Sequence, residues 1–228
     1  MNIIIFGPPG AGKGTQSDKI VEDYKMFKLS TGDLLRAEIK EQSELGKNIE
    51  KIVNAGKLVS NDIINTLVEK IVSDKKYQNN IIFDGYPRNL DQAKNLEKIL
   101  KKNSQKIDLV ISLNVSLDSI IKRITGRLLC TKCGKTYNEF FNPPAKNLEC
   151  CNNKNLKKRD DDSAEVAKKR FNTYQETTEP LLEFYEKMGL LKETAGEKKI
   201  GEIYVEITEY INGIQGWLWK IWTYKYLI

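Results

Sequence analysis

Gly7-Pro8-Pro9-Gly10-Ala11-Gly12-Lys13-Gly14-Thr15 follows directly on the apolar run Ile3-Ile4-Ile5-Phe6. A strand that runs into a glycine-rich loop and then a helix is built to grip nucleotide phosphates. Glycines let successive backbone N–H groups turn toward an anion, and the helix (here over 12–24) adds the positive end of its dipole. Lys13 adds a full charge, so the expected phosphate ligands are Gly10, Ala11, Gly12, Lys13, Gly14 and Thr15. Gly14 stands where Ser or Thr usually follows the lysine, and the hydroxyl arrives one residue later as Thr15. A magnesium ion bridged through water is therefore expected in preference to one bound by that hydroxyl.

A second group of candidates lies in Ile81-Ile82-Phe83-Asp84-Gly85-Tyr86-Pro87-Arg88. An apolar strand that ends in a carboxylate is where phosphate-loop proteins keep an acid near Mg²⁺. Arg88 leaves the same turn and can fork a phosphate with two parallel hydrogen bonds. The chain has no histidine, which excludes imidazole acid–base catalysis and histidine metal sites. Its four cysteines fall in one stretch. Cys130-Thr131-Lys132-Cys133 is followed by Cys150 after sixteen residues, the spacing of a zinc ribbon through three ligands. Asn153 stands at the fourth position and is a poor ligand, whereas Cys151 adjoins Cys150. A structural Zn²⁺ on Cys130, Cys133, Cys150 and Cys151 is expected; the alternative is a metal-free segment held by Tyr137, Phe141 and polar contacts.

The elements that must position these residues read as α/β. The runs Ile3–Phe6, Ile81–Phe83 and Leu109–Leu113 look like parallel strands buried on both faces, separated by amphipathic helices over 90–102 and 117–125. That rhythm predicts a doubly wound parallel sheet flanked by helices. Two segments break it: a short helical insertion over 30–59 that begins Ser30-Thr31-Gly32-Asp33, and the cysteine-bearing stretch 127–162. Both are expected as flaps over the carboxyl ends of the strands, where such sheets bind ligands. The core is then 1–29, 60–126 and 163–211. A net charge of +6 suits polyanionic small molecules and nucleic acid alike, but the lysines are scattered through the helices, which argues against nucleic acid. The sequence opens straight into a strand with no signal-peptide pattern, so a cytoplasmic location is expected. Residues 212–228 gather all three tryptophans, and twelve apolar or aromatic-rich residues are too few to span a bilayer as a helix. Contact with a membrane interface, with another protomer or with the domain's own surface all stay open for this tail.

Three motifs taken together resemble the adenylate kinase family: 7–15, Ser30-Thr31-Gly32-Asp33-Leu34-Leu35-Arg36, and Phe83-Asp84-Gly85-Tyr86-Pro87-Arg88. Lys122-Arg123-Ile124-Thr125-Gly126-Arg127, Phe141-Asn142-Pro143-Pro144 and Arg159-Asp160-Asp161-Asp162 are similar to that family's long lid, and the likeness runs in order from residue 1 to about 211. The resemblance implies Mg²⁺-dependent, reversible transfer of the γ-phosphoryl group of ATP to AMP, giving two ADP, by a monomer. It implies that 30–59 is a nucleoside-monophosphate-binding insertion and 127–162 a lid. It further implies ATP contacts from the loop, Arg123, Arg127, Tyr137 and Lys198. For AMP it implies Thr31, Arg36, Val59, Gly85, Arg88, Gln92, Arg159 and Arg170, with Gln92 reading the adenine edge. Lys13, Arg88, Arg123, Arg159 and Arg170 would serve the transferring phosphate, and Asp84 the magnesium. A kinase of another base preference, such as a UMP/CMP kinase, and a nucleotide-binding regulatory protein without turnover are the competing readings.

Overall fold

A computed structural model gives the fold; it describes residues 1–54, 59–145, 150–151 and 153–225, apart from the side chains of 153, 215 and 217–225. Five parallel strands form the central sheet: β1 (Ile3–Phe6), β2 (Phe27–Ser30), β3 (Ile81–Asp84), β4 (Leu109–Asn114) and, last in the chain, β8 (Leu191–Ala195). Their spatial order is β2-β3-β1-β4-β8. Successive side chains of a strand point to opposite faces. Ile4, Phe6, Leu29, Ile81, Phe83 and Val110 pack into one core, and Ile3, Ile5, Ile82, Leu109, Ile111 and Leu113 into the other. Both faces are dry, which is why β1, β3 and β4 are mostly apolar, with buried Ser112 the one polar residue inside them.

The helices cover these faces. Helix α1 (Lys13–Tyr24) follows β1, α2 (Thr31–Lys40) and α3 (Glu44–Asn54) follow β2, and α4 (Asn61–Val72) leads to β3. Helix α5 (Leu90–Lys102) joins β3 to β4, and α6 (Leu117–Thr125) follows β4. The amphipathic pattern of the sequence places α5 and α6 at these same bounds, and both carry a polar cap: Asn89 and Ser116 accept hydrogen bonds from the first-turn N–H groups of Gln92 and Ser119.

After α6 the chain forms a small antiparallel sheet, β6-β5-β7, from β5 (Arg127–Cys130), β6 (Thr136–Asn138) and β7 (Leu156–Lys157). It then returns through α7 (Ala164–Thr177) and α8 (Pro180–Lys187) to β8, and closes with α9 (Ile200–Lys225). Ile203, Ile207 and Ile211 of α9 are buried on the core, and Asn212 accepts a hydrogen bond from the Tyr24 hydroxyl at the end of α1. Position 212, where the sequence suggests a separate tail, is thus mid-helix; residues 226–228 lie outside the described residues. Among the described residues no helix is long and apolar enough to cross a membrane.

Candidate active site

All five strands of the main sheet run parallel, so their carboxyl ends share one edge. Phe6, Ser30, Asp84, Asn114 and Ala195 end there, and the chain leaves them into the glycine-rich loop, α2, the 85–88 turn, the approach to α6, and the 196–199 turn. One edge therefore collects most of the residues that the sequence singles out.

The glycine-rich loop depends on backbone shapes open mainly to glycine. Gly10 has φ +84°, and a Cβ there would sit 2.8 Å from Ile124 Cγ1. Gly12 caps α1 at φ 100° with no side-chain hydrogen bond to the first turn, and no acidic residue lies in that turn. Helices α2, α5, α6 and α7 spend a Ser or Asn side chain on their first-turn N–H groups. In α1 those donors are left for an anion. Lys13 Nζ folds over the loop and donates to the carbonyls of Gly7 (2.7 Å) and Pro8 (3.0 Å). Burial, reinforced by the charges of Arg88 and Arg127 and opposed by Asp84, lowers its pKa to about 8.

Around this loop stands a ring of cations. Arg88 Nε donates to Gly85 O (2.8 Å), the same carbonyl that accepts from Thr31 Oγ1 (2.9 Å). Burial and the charges of Arg170 and Arg36 lower the Arg88 pKa. Arg159 is brought down to about 10 by burial and by Arg127 and Arg36. Its Nε is buried with no hydrogen-bond partner, a donor that a phosphate oxygen would satisfy. Arg36, Arg127 and Arg170 thus stand close enough for their charges to act on Lys13, Arg88 and Arg159. Facing them are four carboxylates. Arg127 makes a two-point pair with Asp162 (Nε–Oδ2 2.9 Å), Arg170 pairs with Asp161 at 2.6 Å, and Arg36 pairs with Asp33. The fourth, Asp84, lies 3.6 Å from Lys28 Nζ. Arg170 also donates to Val53 O at 3.3 Å, tying α7 to the end of α3. The sequence marks Arg159-Asp160-Asp161-Asp162 as a motif but assigns its carboxylates nothing; pairing them needs the fold.

At the other end of the loop, Arg123 donates to Ala11 O (3.0 Å) and Gly196 O (2.7 Å) and lies 5.6 Å from the Phe141 ring centroid. It links the loop to the 196–199 turn and to a half-exposed aromatic ring. Lys198 lies in that turn, but its ammonium is held by Glu206. Tyr137 pairs with Leu128 in the small sheet, and its hydroxyl has Cys151 as a neighbour. Val59 is buried just ahead of α4, and Gln92 is buried at the start of α5.

The cysteines form a separate cluster. The sulfurs of Cys130, Cys133, Cys150 and Cys151 all lie within 4.8 Å of one another, with Cys133 and Cys151 3.4 Å apart. Tetrahedral zinc with Zn–S bonds of about 2.3 Å needs sulfurs about 3.8 Å apart, so the cluster fits that ion. Cys151 joins the other three; the side chain of Asn153 lies outside the described residues. Magnesium meets a different donor set. Asp84 Oδ2 lies 3.8 Å from where a Gly14 Cβ would be, a single carboxylate beside the loop. That suits an ion carried in by phosphates and water rather than one caged by protein.

The family model described as adenylate kinase matches residues 5–190, which takes in the loop, the 85–88 turn, Arg123, Arg127, Arg159 and Arg170. The chain belongs to the adenylate kinase family. It is 49% identical over 212 residues to an adenylate kinase of Pelagibacter ubique, covering 93% of this chain and all of the relative. It is 43% identical over 209 residues to one of Methanosarcina barkeri (91% and 96% covered) and 39% identical over 212 to one of Listeria monocytogenes (92% and 99%). As a member of this family the protein is a nucleoside-monophosphate kinase that carries out reversible ATP:AMP phosphotransfer. The five-stranded parallel sheet flanked by helices agrees with the phosphate-loop α/β fold of this family.

Proposed function

We propose that the cation ring performs the transfer residue by residue as follows. The first-turn N–H groups of α1 and Lys13 hold the β- and γ-phosphates of ATP, and Mg²⁺ enters with the nucleotide and is held through water by Asp84. Arg123 and Phe141 border the ATP base. Arg88 grips the AMP phosphate, with Thr31 and Arg88 sharing the Gly85 carbonyl as the floor of that pocket. Arg36 and Val59 line the pocket and Gln92 faces its base. Arg127, Arg159 and Arg170 surround the phosphoryl group in flight.

Phosphoryl transfer spreads charge over three equatorial oxygens and asks the protein for positioning and neutralisation more than for a base. The observation that carries the assignment is the mutual proximity of five arginines and Lys13 at one edge, with a buried Arg159 Nε lacking any partner. Segments 30–59 and 127–162 are proposed as the flaps that close to exclude water, since a phosphoryl group open to solvent would be hydrolysed. Zn²⁺ on the four cysteines is proposed to hold the lid; with no open ligand position it has no part in the reaction. Every residue in this scheme comes from one chain, so we propose that the protein acts as a monomer.

The test is ADP formation from ATP and AMP with and without Mg²⁺, on the wild type and on Arg88→Ala and Arg159→Ala. Fast Mg²⁺-dependent turnover, lost in both variants while ATP still binds, supports the scheme. If either variant stays within threefold of wild type, that residue leaves the catalytic set.

A further inference from the structure

Two backbone N–H groups fix the orientation of three side-chain amides next to the proposed AMP pocket. Arg88 N–H donates to Gln92 Oε1 (2.7 Å), and Gln92 N–H donates to Asn89 Oδ1 (2.9 Å). A backbone N–H can only donate, so both side chains must present oxygen at these contacts and turn their NH₂ groups elsewhere. Both find the same acceptor: Gln92 Nε2 and Asn89 Nδ2 donate to Asn61 Oδ1, at 2.9 and 3.0 Å. The Tyr86 hydroxyl lies 3.2 Å from Gln92 O and 2.8 Å from Asn65 Oδ1 and shares its one proton between these acceptors, which holds the backbone beneath the network. Gln92 is 2% exposed.

A carboxamide carries two lone pairs and two protons. Here one of each on Gln92 is spent on Arg88 and Asn61, which leaves one acceptor and one donor for a ligand. Rotating the amide by half a turn would set Nε2 against the Arg88 N–H and Oε1 against Asn61 Oδ1. Both contacts would then be like against like.

We infer that Asn61 is a positioning residue: with the Arg88 N–H it locks the Gln92 amide in one orientation and so sets the base preference of the monophosphate site. This rests on the reading that Gln92 faces the AMP base. The free pair of sites accepts from an exocyclic amino group and donates to a ring nitrogen. Adenine offers that pattern at N6 and N1, and cytosine offers the same pattern at N4 and N3. Uracil and guanine present a carbonyl and a ring N–H instead, the reverse. Pairing with a locked amide then leaves a buried polar group unmet, which rejects strongly. The acceptor order set by polarity is AMP, then CMP, with UMP and GMP behind.

The experiment is steady-state kinetics with AMP, CMP, UMP and GMP on wild type, Asn61→Leu, Asn61→Asp and Gln92→Leu, with thermal unfolding to confirm folding. We expect CMP to be the second-best acceptor of the wild type. Asn61→Leu should raise KM for AMP about tenfold, the scale of one buried amide group left unpaired, with the effect on KM rather than kcat, and narrow the AMP:UMP ratio. Asn61→Asp, which keeps an acceptor at that point, should restore the ratio. A wild type that uses UMP or GMP as well as CMP overturns the inference. So does an Asn61→Leu enzyme whose AMP:UMP ratio stays at the wild-type value while Gln92→Leu loses it. If Gln92→Leu itself keeps the ratio, the assignment of Gln92 to the base fails, and the inference with it.

Discussion

Binding of ATP should draw a proton onto Lys13. In the free protein, burial and two nearby guanidinium groups hold this ammonium at a pKa of about 8, down from 10.5. A group with that pKa is charged in about a quarter of molecules at pH 8.5. A triphosphate against Nζ adds full negative charges and restores a pKa above 10, so complex formation at pH 8.5 should take up about 0.7 proton. The substrate phosphates finish titrating near pH 6 and contribute little in this range. The affinity follows the charged fraction, which falls about tenfold between pH 7 and pH 9. Loss of the proton weakens binding, so the decline comes as pH rises. Calorimetry of ATP binding at pH 8.5 in two buffers of different ionisation enthalpy measures the uptake directly. Lys13→Met should abolish it and remove the pH dependence of what binding is left. Absence of uptake in the wild type, or equal uptake in the variant, would refute the argument.

Arg88→Ala should lower kcat/KM for AMP by about 10²-fold, the scale of one lost charge on a transferring phosphate, read in a coupled ADP assay. Gly10→Ala combines a backbone shape strained for any side chain with a Cβ 2.8 Å from Ile124. It should destabilise by about 1–3 kcal/mol and weaken ATP binding, as seen by urea unfolding and calorimetry. The Asp162 side chain is fully buried and holds Arg127 by two hydrogen bonds, so Asp162→Asn should cost about 3 kcal/mol in the same unfolding experiment. Denaturing metal-stripped and then zinc-reloaded protein should release one zinc per chain; zinc retained after Cys151→Ser at undiminished affinity would remove that residue from the ligand set.

The legible parts of the sequence were those where local chemistry and burial agree. Strands β1, β3 and β4 are dry on both faces and read as apolar runs, and α5 and α6 read as amphipathic stretches. The edge strands do not. In β2 only Leu29 is buried, and β8 is Leu191-Lys192-Glu193-Thr194-Ala195, with a buried Thr194 among polar or half-exposed neighbours. The small sheet is built from pieces of two to four residues, too short for any alternation to register. The same division holds at the site. The phosphate loop, Asp84, Arg88 and the arginines are visible from residue type and spacing. The Asp162 partner of Arg127 and the Asn61 contact to Gln92 are long-range pairings that no local pattern encodes.

The Arg127–Asp162 pair joins the first residue of β5 to a residue just ahead of α7. Everything between those positions therefore leaves and re-enters the body of the protein at nearly one point. A segment fastened in this way behaves as a cassette. Its length, its sheet and its candidate metal site should be open to exchange by design with little displacement of the helices on either side. The cysteine cluster lies wholly inside the cassette, so gaining or losing zinc is a change to one removable part. A graft that keeps Arg127 and Asp162 and replaces what lies between them would leave Arg159 as the single active-site arginine to be built back in.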